Sequence, residues 1–316
     1  MQPSTFKCWR ISRRISSLLA LLGLLSWPAL LRAADSALQW NPAHARFRTS
    51  ESVVTGALAL QAASVVLLYP QPAANWRGGI LFDDAIRDAV LLEGTGARAS
   101  AARWSDNLYY GLLAYPLLVD TAIVTWGAHG STDVANEMLA MNLEAYAFSG
   151  AIALTAEKIG RVRPAERGCR EDATYSPKCG NDVALNASFA SGHTALAFTS
   201  AGLTCAHHQH LPLYGGGAPD LAACLVALSA ASATGVLRVM SDNHYTSDVL
   251  IGMGIGLFGG YGLPTLLHYG PGSAAGDSFE SVLPIIRMGK GAQAIAGVLA
   301  PRVGPNEAGL MLVGAF

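Results

Sequence analysis

Charge is scarce in this 316-residue chain: Asp, Glu, Lys and Arg together make up 14% of it, against roughly a quarter in an ordinary soluble domain. The formal net charge is −1. With so little charge, and no excess of one sign, the chain has no basic footprint for nucleic acid. Segments that alternate polar and apolar residues are also few, which argues against a body built from sheet. There is no internal repeat and no convincing metal cluster, and no cofactor motif. The run His207, His208 and His210 reads as a histidine-rich surface. What remains is apolar: 51% of residues are hydrophobic and the mean hydropathy is +0.32. That composition fits a very apolar helical bundle or a membrane protein, in one large domain or two small ones.

Cysteine is sparse as well, five in all. Cys8 lies in the N-terminal segment. Cys169 and Cys179 bracket a polar loop with Pro177 inside it and Gly168 and Gly180 beside it, a spacing that closes as a disulfide in an oxidising compartment. For Cys205 and Cys224 the sequence leaves two alternatives. A bond between them places their connecting loop in the oxidising compartment and favours a soluble bundle. Free thiols favour a membrane protein.

The N-terminus has the pattern of an export signal. Lys7, Arg10, Arg13 and Arg14 precede an apolar stretch over 15–31, and a cleavage site can follow Ala33. An uncleaved anchor helix is the alternative. Apolar runs then predict helices over 52–69, 108–128, 139–156, 194–207, 221–237 and 249–267, with a more polar helical hairpin over 83–103. Pro70, Pro164, Pro212, Gly215 to Gly217 and Pro271 punctuate them. Two of the runs, 52–69 and 249–267, are long enough to cross a bilayer. The loop 208–220, however, has no Lys or Arg, against the positive-inside pattern expected of a cytoplasmic loop. Spanning and soluble bundles therefore both stay open. Past a Gly/Ser/Ala linker at 270–276, residues 282–288, 292–299 and 309–316 read as short strands. These are too few to close a barrel and are expected as a small sheet or hairpin on the bundle. The expected division is 1–33 as signal or anchor, 34–270 as the helical domain and 271–316 as the tail.

Three short motifs carry chemistry. Arg238, His244 and Asp248 fall in one run, and His244 and Asp248 are four apart, on one face of a helix. A carboxylate there can take the Nδ1 proton and leave Nε2 as nucleophile. Ser191-Gly192-His193 precedes an apolar helix; serine is a favoured N-cap, glycine permits close approach, and the helix N-terminus suits a phosphate. Arg163 before Pro164, read as the end of a helix, can grip phosphate oxygens in a fork, as can Arg238. Taken singly, each motif also fits an ordinary capped or solvated helix end.

In order, Gly-Arg-x-Arg-Pro, Ser-Gly-His-Thr and Arg-x5-His-x3-Asp resemble the three-part signature of the type 2 phosphatidic acid phosphatase family, whose superfamily includes bacterial acid phosphatases and vanadium haloperoxidases. The resemblance covers about 83–268. It implies an all-α helical bundle with the site at helix ends, here with a short β-like tail, and a metal-independent phosphatase. His244 would attack phosphorus and form a phosphohistidine, oriented by Asp248. His193 would protonate the leaving oxygen and then activate water. Arg163, Arg238, Ser191 and the Gly192 amide would hold the phosphoryl oxygens.

The pattern departs in two charged or polar positions. The lysine seven residues before the Arg of Arg-Pro is Ala156, and the serine before the third-motif arginine is Leu237. Arg161 and Lys158 are the candidates to restore part of that charge. The proline before Ser-Gly-His is Ala190. The apolar body points to a lipid phosphate or isoprenoid pyrophosphate at a membrane surface. A soluble periplasmic acid phosphatase and a non-catalytic binding member of the fold are the alternatives. No protein partner is expected.

Overall fold

A computed structural model describes residues 37–69, 72–270, 297–304 and 307–314. The expected signal over 1–33 and the expected strand over 282–288 lie outside them. The body is all-α. Its helices are α1 (Thr49–Leu67), α2 (Asp83–Val90), α3 (Thr95–Ala114), α4 (Thr132–Glu157), the short α5 (Glu166–Glu171) and α6 (Asp182–Leu185), α7 (Gly192–His210), α8 (Ala218–Met240) and α9 (Thr246–Leu257). α3 runs on as a π-helix over Tyr115–Ala128. The change begins at Pro116, which lacks the N–H for an i→i−4 bond. Thr121 and Thr125 hydroxyls then donate to carbonyls five residues back, at 2.6 and 2.7 Å. α9 likewise continues through π-helical turns to Tyr269.

α7 is the axis of the bundle, packed by α3, α4, α8 and α9. Almost all its length is buried, including Ala195, Ala197, Phe198, Ala201, Leu203 and Ala206. The approach of α9 is set by glycine: a Cβ on Gly256 would stand 2.2 Å from the Ala195 carbonyl, and one on Gly260 would stand 2.0 Å from that of Thr199. Only glycine lets these backbones meet.

This all-round packing corrects the reading of the histidine run as surface. His207 is fully buried, bridging Asn142 Oδ1 at 3.0 Å and the Tyr269 hydroxyl at 2.8 Å. His208 is buried between Asp220 and Asp120, and the His210 ring stacks on Tyr269. A second correction concerns Arg163-Pro164. The helix before it ends at Glu157, and the chain then runs extended, with Arg161 bridged to Trp76. Gly160 makes the turn at φ +76°, where a Cβ would stand 2.0 Å from the Ala73 carbonyl.

Cys169 and Cys179 are disulfide-bonded, and so are Cys205 and Cys224. Among the described residues, four helical stretches are long and apolar enough to cross a membrane: Thr49–Leu67, Thr95–Ala128, Ala218–Met240 and Thr246–Tyr269. They carry exposed large apolar side chains such as Leu60, Leu118, Trp126, Leu225 and Ile251. Separately, β1 (Gly297–Gly304) and β2 (Glu307–Gly314) form an antiparallel hairpin with Gly304 opposite Glu307. The expected strands over 292–299 and 309–316 overlap these two strands and fall partly outside the described residues.

Candidate active site

The three motifs meet where α4 and α8 end and α7 and α9 begin. The turn from α8 into α9 is made by Asp242, whose φ of +61° is a left-handed helix-ending conformation that aspartate tolerates. There the Asn243 and His244 N–H groups both donate to the Arg238 carbonyl, at 3.0 and 3.3 Å. Asp242 is fixed by a bidentate pair with Arg87, at 2.7 and 2.8 Å, and by the Tyr175 hydroxyl at 2.8 Å.

His244 is almost fully buried. Its Nδ1 lies 2.7 Å from the Ser188 carbonyl and its Nε2 lies 2.8 Å from Arg163 Nη1. A carbonyl only accepts and a guanidinium only donates. The proton is therefore on Nδ1, and the Nε2 lone pair faces the cationic side of the site. Burial, then the charges of Arg163 and Arg238, hold the imidazole well below its usual pKa, so it is neutral at pH 7.

Here the expected role of Asp248 is corrected. Its carboxylate stands 4.0 Å from His244 Nδ1 and is already taken up. Arg161 Nη1 donates to it at 2.5 Å, the Ser188 hydroxyl at 2.7 Å and the Tyr245 N–H at 3.0 Å. Asp248 thus acts on His244 through Ser188, whose side chain it holds and whose carbonyl fixes the ring.

Arg161 is corrected too. It is fully buried and paired with both Asp83 and Asp248, at 2.7 and 2.5 Å. It also donates to Ser247 and Gly78, and lies between the rings of Trp76 and Tyr245. No donor nitrogen at its tip remains for a ligand; it ties the first motif to the third. Lys158 sits at the C-cap of α4 and makes no hydrogen bond or ion pair among the described residues. Its charge reaches Glu157.

Ser191 is the third correction. Its hydroxyl caps α7, meeting Thr194 N at 3.4 Å and Thr194 Oγ1 at 2.9 Å, and its N–H donates to the Asp248 carbonyl. The hydroxyl is spent on the helix start. The Gly192 and His193 amides are left as open donors at that end of a 19-residue helix. Gly192 also has the Glu157 carboxyl beside it, 3.4 Å from where a Cβ would be.

Arg163 does reach the site. Nε and Nη1 donate to the Ala184 and Asn243 carbonyls, which aim the fork at His244. Burial brings its pKa down to about 10, so it stays charged. Arg238 also arrives, with Nη2 paired to Asp106 and a buried Nε that has no partner. His193 Nε2 is 3.3 Å from the same Asp106 oxygen, and its ring packs on Tyr109 at 4.5 Å. Burial, then Arg238, Arg163 and Lys178, lower His193 to about 3.

Three participants escape sequence reasoning. Asp106 lies on α3, far from every motif. Glu157 ends α4 beside Ala156, where the family pattern has a lysine. Lys178 comes from the Cys169–Cys179 loop, and its Nζ meets Asn243 Oδ1. None belongs to a spaced pattern; only the position of Lys178 next to a disulfide cysteine marked it as fixed in place.

Residues 139–270 match the PAP2 superfamily. No curated protein and no solved structure matches the chain.

Proposed function

We propose that the chain is a phosphatase working through a phosphohistidine on His244, a reading supported by the match of residues 139–270 to the PAP2 superfamily, which includes phosphoric ester hydrolases. The observation that carries this is the His244 tautomer: Nδ1–H is committed to Ser188, and the Nε2 lone pair faces the Arg163 guanidinium. A phosphate monoester binds with its oxygens on Arg163, Arg238 and the Gly192 and His193 amides. Its negative charge offsets the cations that, together with burial, hold His193 neutral, so His193 can carry a proton once substrate is bound. Arg163 transfers its hydrogen bond from Nε2 to a phosphoryl oxygen. Nε2 attacks phosphorus, the bond to the leaving oxygen breaks, and His193 gives that oxygen its proton. Water then attacks the phosphohistidine, His193 takes the water proton, and the P–N bond breaks to release inorganic phosphate. Positioning and fixed charge do most of this work.

Arg238 and His244 lie at the ends of two of the four apolar stretches, the level at which a bilayer surface would stand. That supports a lipid-borne phosphate or pyrophosphate as substrate and an exported site, consistent with the two disulfides. The second reading, a soluble phosphatase outside the cytoplasm, is favoured by Cys205–Cys224, which lies towards the other end of α7. A requirement for detergent to keep the purified protein in solution decides for the first; solubility without detergent decides for the second.

The enzymatic reading is tested by phosphate release from purified protein and His244→Ala. Wild-type release with an acid-labile, base-stable phosphoenzyme absent from the variant is the expected result. Equal background from both proteins would sink it.

A further inference from the structure

We propose that Lys178 is a phosphate-binding residue of this site, delivered by the Cys169–Cys179 disulfide loop. The inference rests on the phosphate-site reading above and adds a cation that no motif provides. The loop closes over ten residues, and Lys178 precedes its second cysteine. It is pinned on its other side by Tyr175, whose hydroxyl donates to Asp242 and whose carbonyl and ring take Arg98. Between these anchors, Lys178 Nζ reaches the side chain of Asn243, the neighbour of His244. The main-chain carbonyl of that same Asn243 accepts from Arg163. Lys178 and Arg163 thus both hold Asn243, the residue before His244, and Arg163 also reaches His244 Nε2.

The charge balance points the same way. Asp106 already neutralises part of Arg238, while Arg163 makes no ion pair among the described residues and feels Glu157 only at a distance. A phosphate ester brings up to two negative charges. Lys178 has no ion pair among the described residues, yet it lies half-buried close to both arginines. Burial first, then Arg163 and Arg238, pull its ammonium down to about 7. Like charges are brought together at such a cost where an anion will later join them. Arg161 and Lys158 do not fill the place left by Ala156; Lys178 is the lysine whose charge does reach the site.

The charged and titratable groups facing Lys178 are Arg163 from the extended segment, Arg238 from α8, Asp106 from α3 and His193 from α7. Below about pH 7 the ammonium is formed and an anion binds three cations. Above it, the lysine is neutral in the free protein and anion affinity falls.

Sulfate is the probe, because it stays a dianion across this range and its binding needs no turnover. Calorimetric titration of the full, oxidised chain should show wild-type affinity falling as pH rises through about 7. Lys178→Gln should bind about tenfold or more weakly at pH 6, as loss of one charge-assisted hydrogen bond implies, and should lack that fall. Lys178→Arg, permanently charged, should keep tight binding above pH 7. The Cys169→Ser/Cys179→Ser variant should lose affinity, and adding Lys178→Gln to it should cost little more. Wild-type affinity and pH profile in Lys178→Gln overturn the proposal, whatever the disulfide variant does. Lys178-dependent sulfate binding without phosphate release from any variant would keep this proposal and overturn the phosphatase reading. Normal phosphate release with no Lys178 effect would do the reverse.

Discussion

Arg161 is the residue on which the two accounts of its role differ most sharply, so its removal is the most informative perturbation. As a phosphate ligand, it would matter only when anion is bound. As a buried tie it matters in the empty protein. Its guanidinium is fully enclosed, with Asp83 at 2.7 Å, Asp248 at 2.5 Å, Ser247 and Gly78 as further acceptors, and Trp76 and Tyr245 on its faces. Arg161→Ala leaves two carboxylates unpaired in the core. Breaking one buried pair in this way costs about 3–5 kcal/mol, a large part of the 5–15 kcal/mol that holds a typical domain together. At about 2–4 °C per kcal/mol for a domain of this size, Tm should fall by roughly 6–20 °C. Arg161→Lys keeps the charge but can satisfy fewer acceptors, and should fall by less. Thermal unfolding is followed for each protein with and without sulfate. Arg161→Ala should lose stability in both conditions, and sulfate should still raise the Tm of any folded fraction. An unchanged Tm without sulfate, together with loss of the sulfate-induced rise, would refute the structural role and make Arg161 a ligand.

His193→Ala should lose about 100- to 10,000-fold in kcat on alkyl phosphates, which need a general acid, and much less on p-nitrophenyl phosphate, whose leaving group departs unprotonated; equal losses on both would remove His193 from the acid role. Because burial and the arginines hold His244 well below its ordinary pKa, the nucleophile stays neutral as pH falls. The acid limb of kcat/KM should therefore lie below pH 6.5, and a limb at or above 6.5 that disappears in no other variant would contradict the cationic environment described for His244.

The helices were legible because apolar length and Ala/Leu content predict them directly; each expected run falls within a helical stretch except 52–69, whose helix ends at Leu67. The misreadings came from environment. His207 and His208 look like a surface run in one dimension, but α7 is wrapped on all sides, and the neighbours that satisfy them are as far away as Asn142, Asp120 and Tyr269. Arg163 and His244, placed by two separate motifs, do meet, with Arg163 Nη1 2.8 Å from His244 Nε2. Arg161 belongs to the same motif as Arg163 yet was claimed by Asp83, more than seventy residues earlier in the chain. His244 and Asp248 do share a helix face, but sharing a face does not fix a hydrogen bond: Ser188 comes between them with its hydroxyl to one and its carbonyl to the other.

Asp106 gives the closest test of how the site balances charge. One of its oxygens meets both Arg238 and His193. It therefore weakens the first as an anion ligand and favours the second as a proton carrier. Asp106→Asn keeps the shape and removes the charge. Arg238 is then free for phosphoryl oxygens, while a protonated His193 loses its anionic neighbour beside three cations. Anion binding should tighten and turnover should slow, so that sulfate affinity and kcat move in opposite directions. Asp106 is 40% exposed on its side chain, and water screens much of its charge, so each change should be of the order of a few-fold to tenfold. Calorimetry with sulfate gives the first quantity, and steady-state hydrolysis of an alkyl phosphate gives the second. Weaker sulfate binding in Asp106→Asn would mean that Asp106 serves to hold Arg238 in place, and the idea that it restrains the arginine while supporting the histidine would fall.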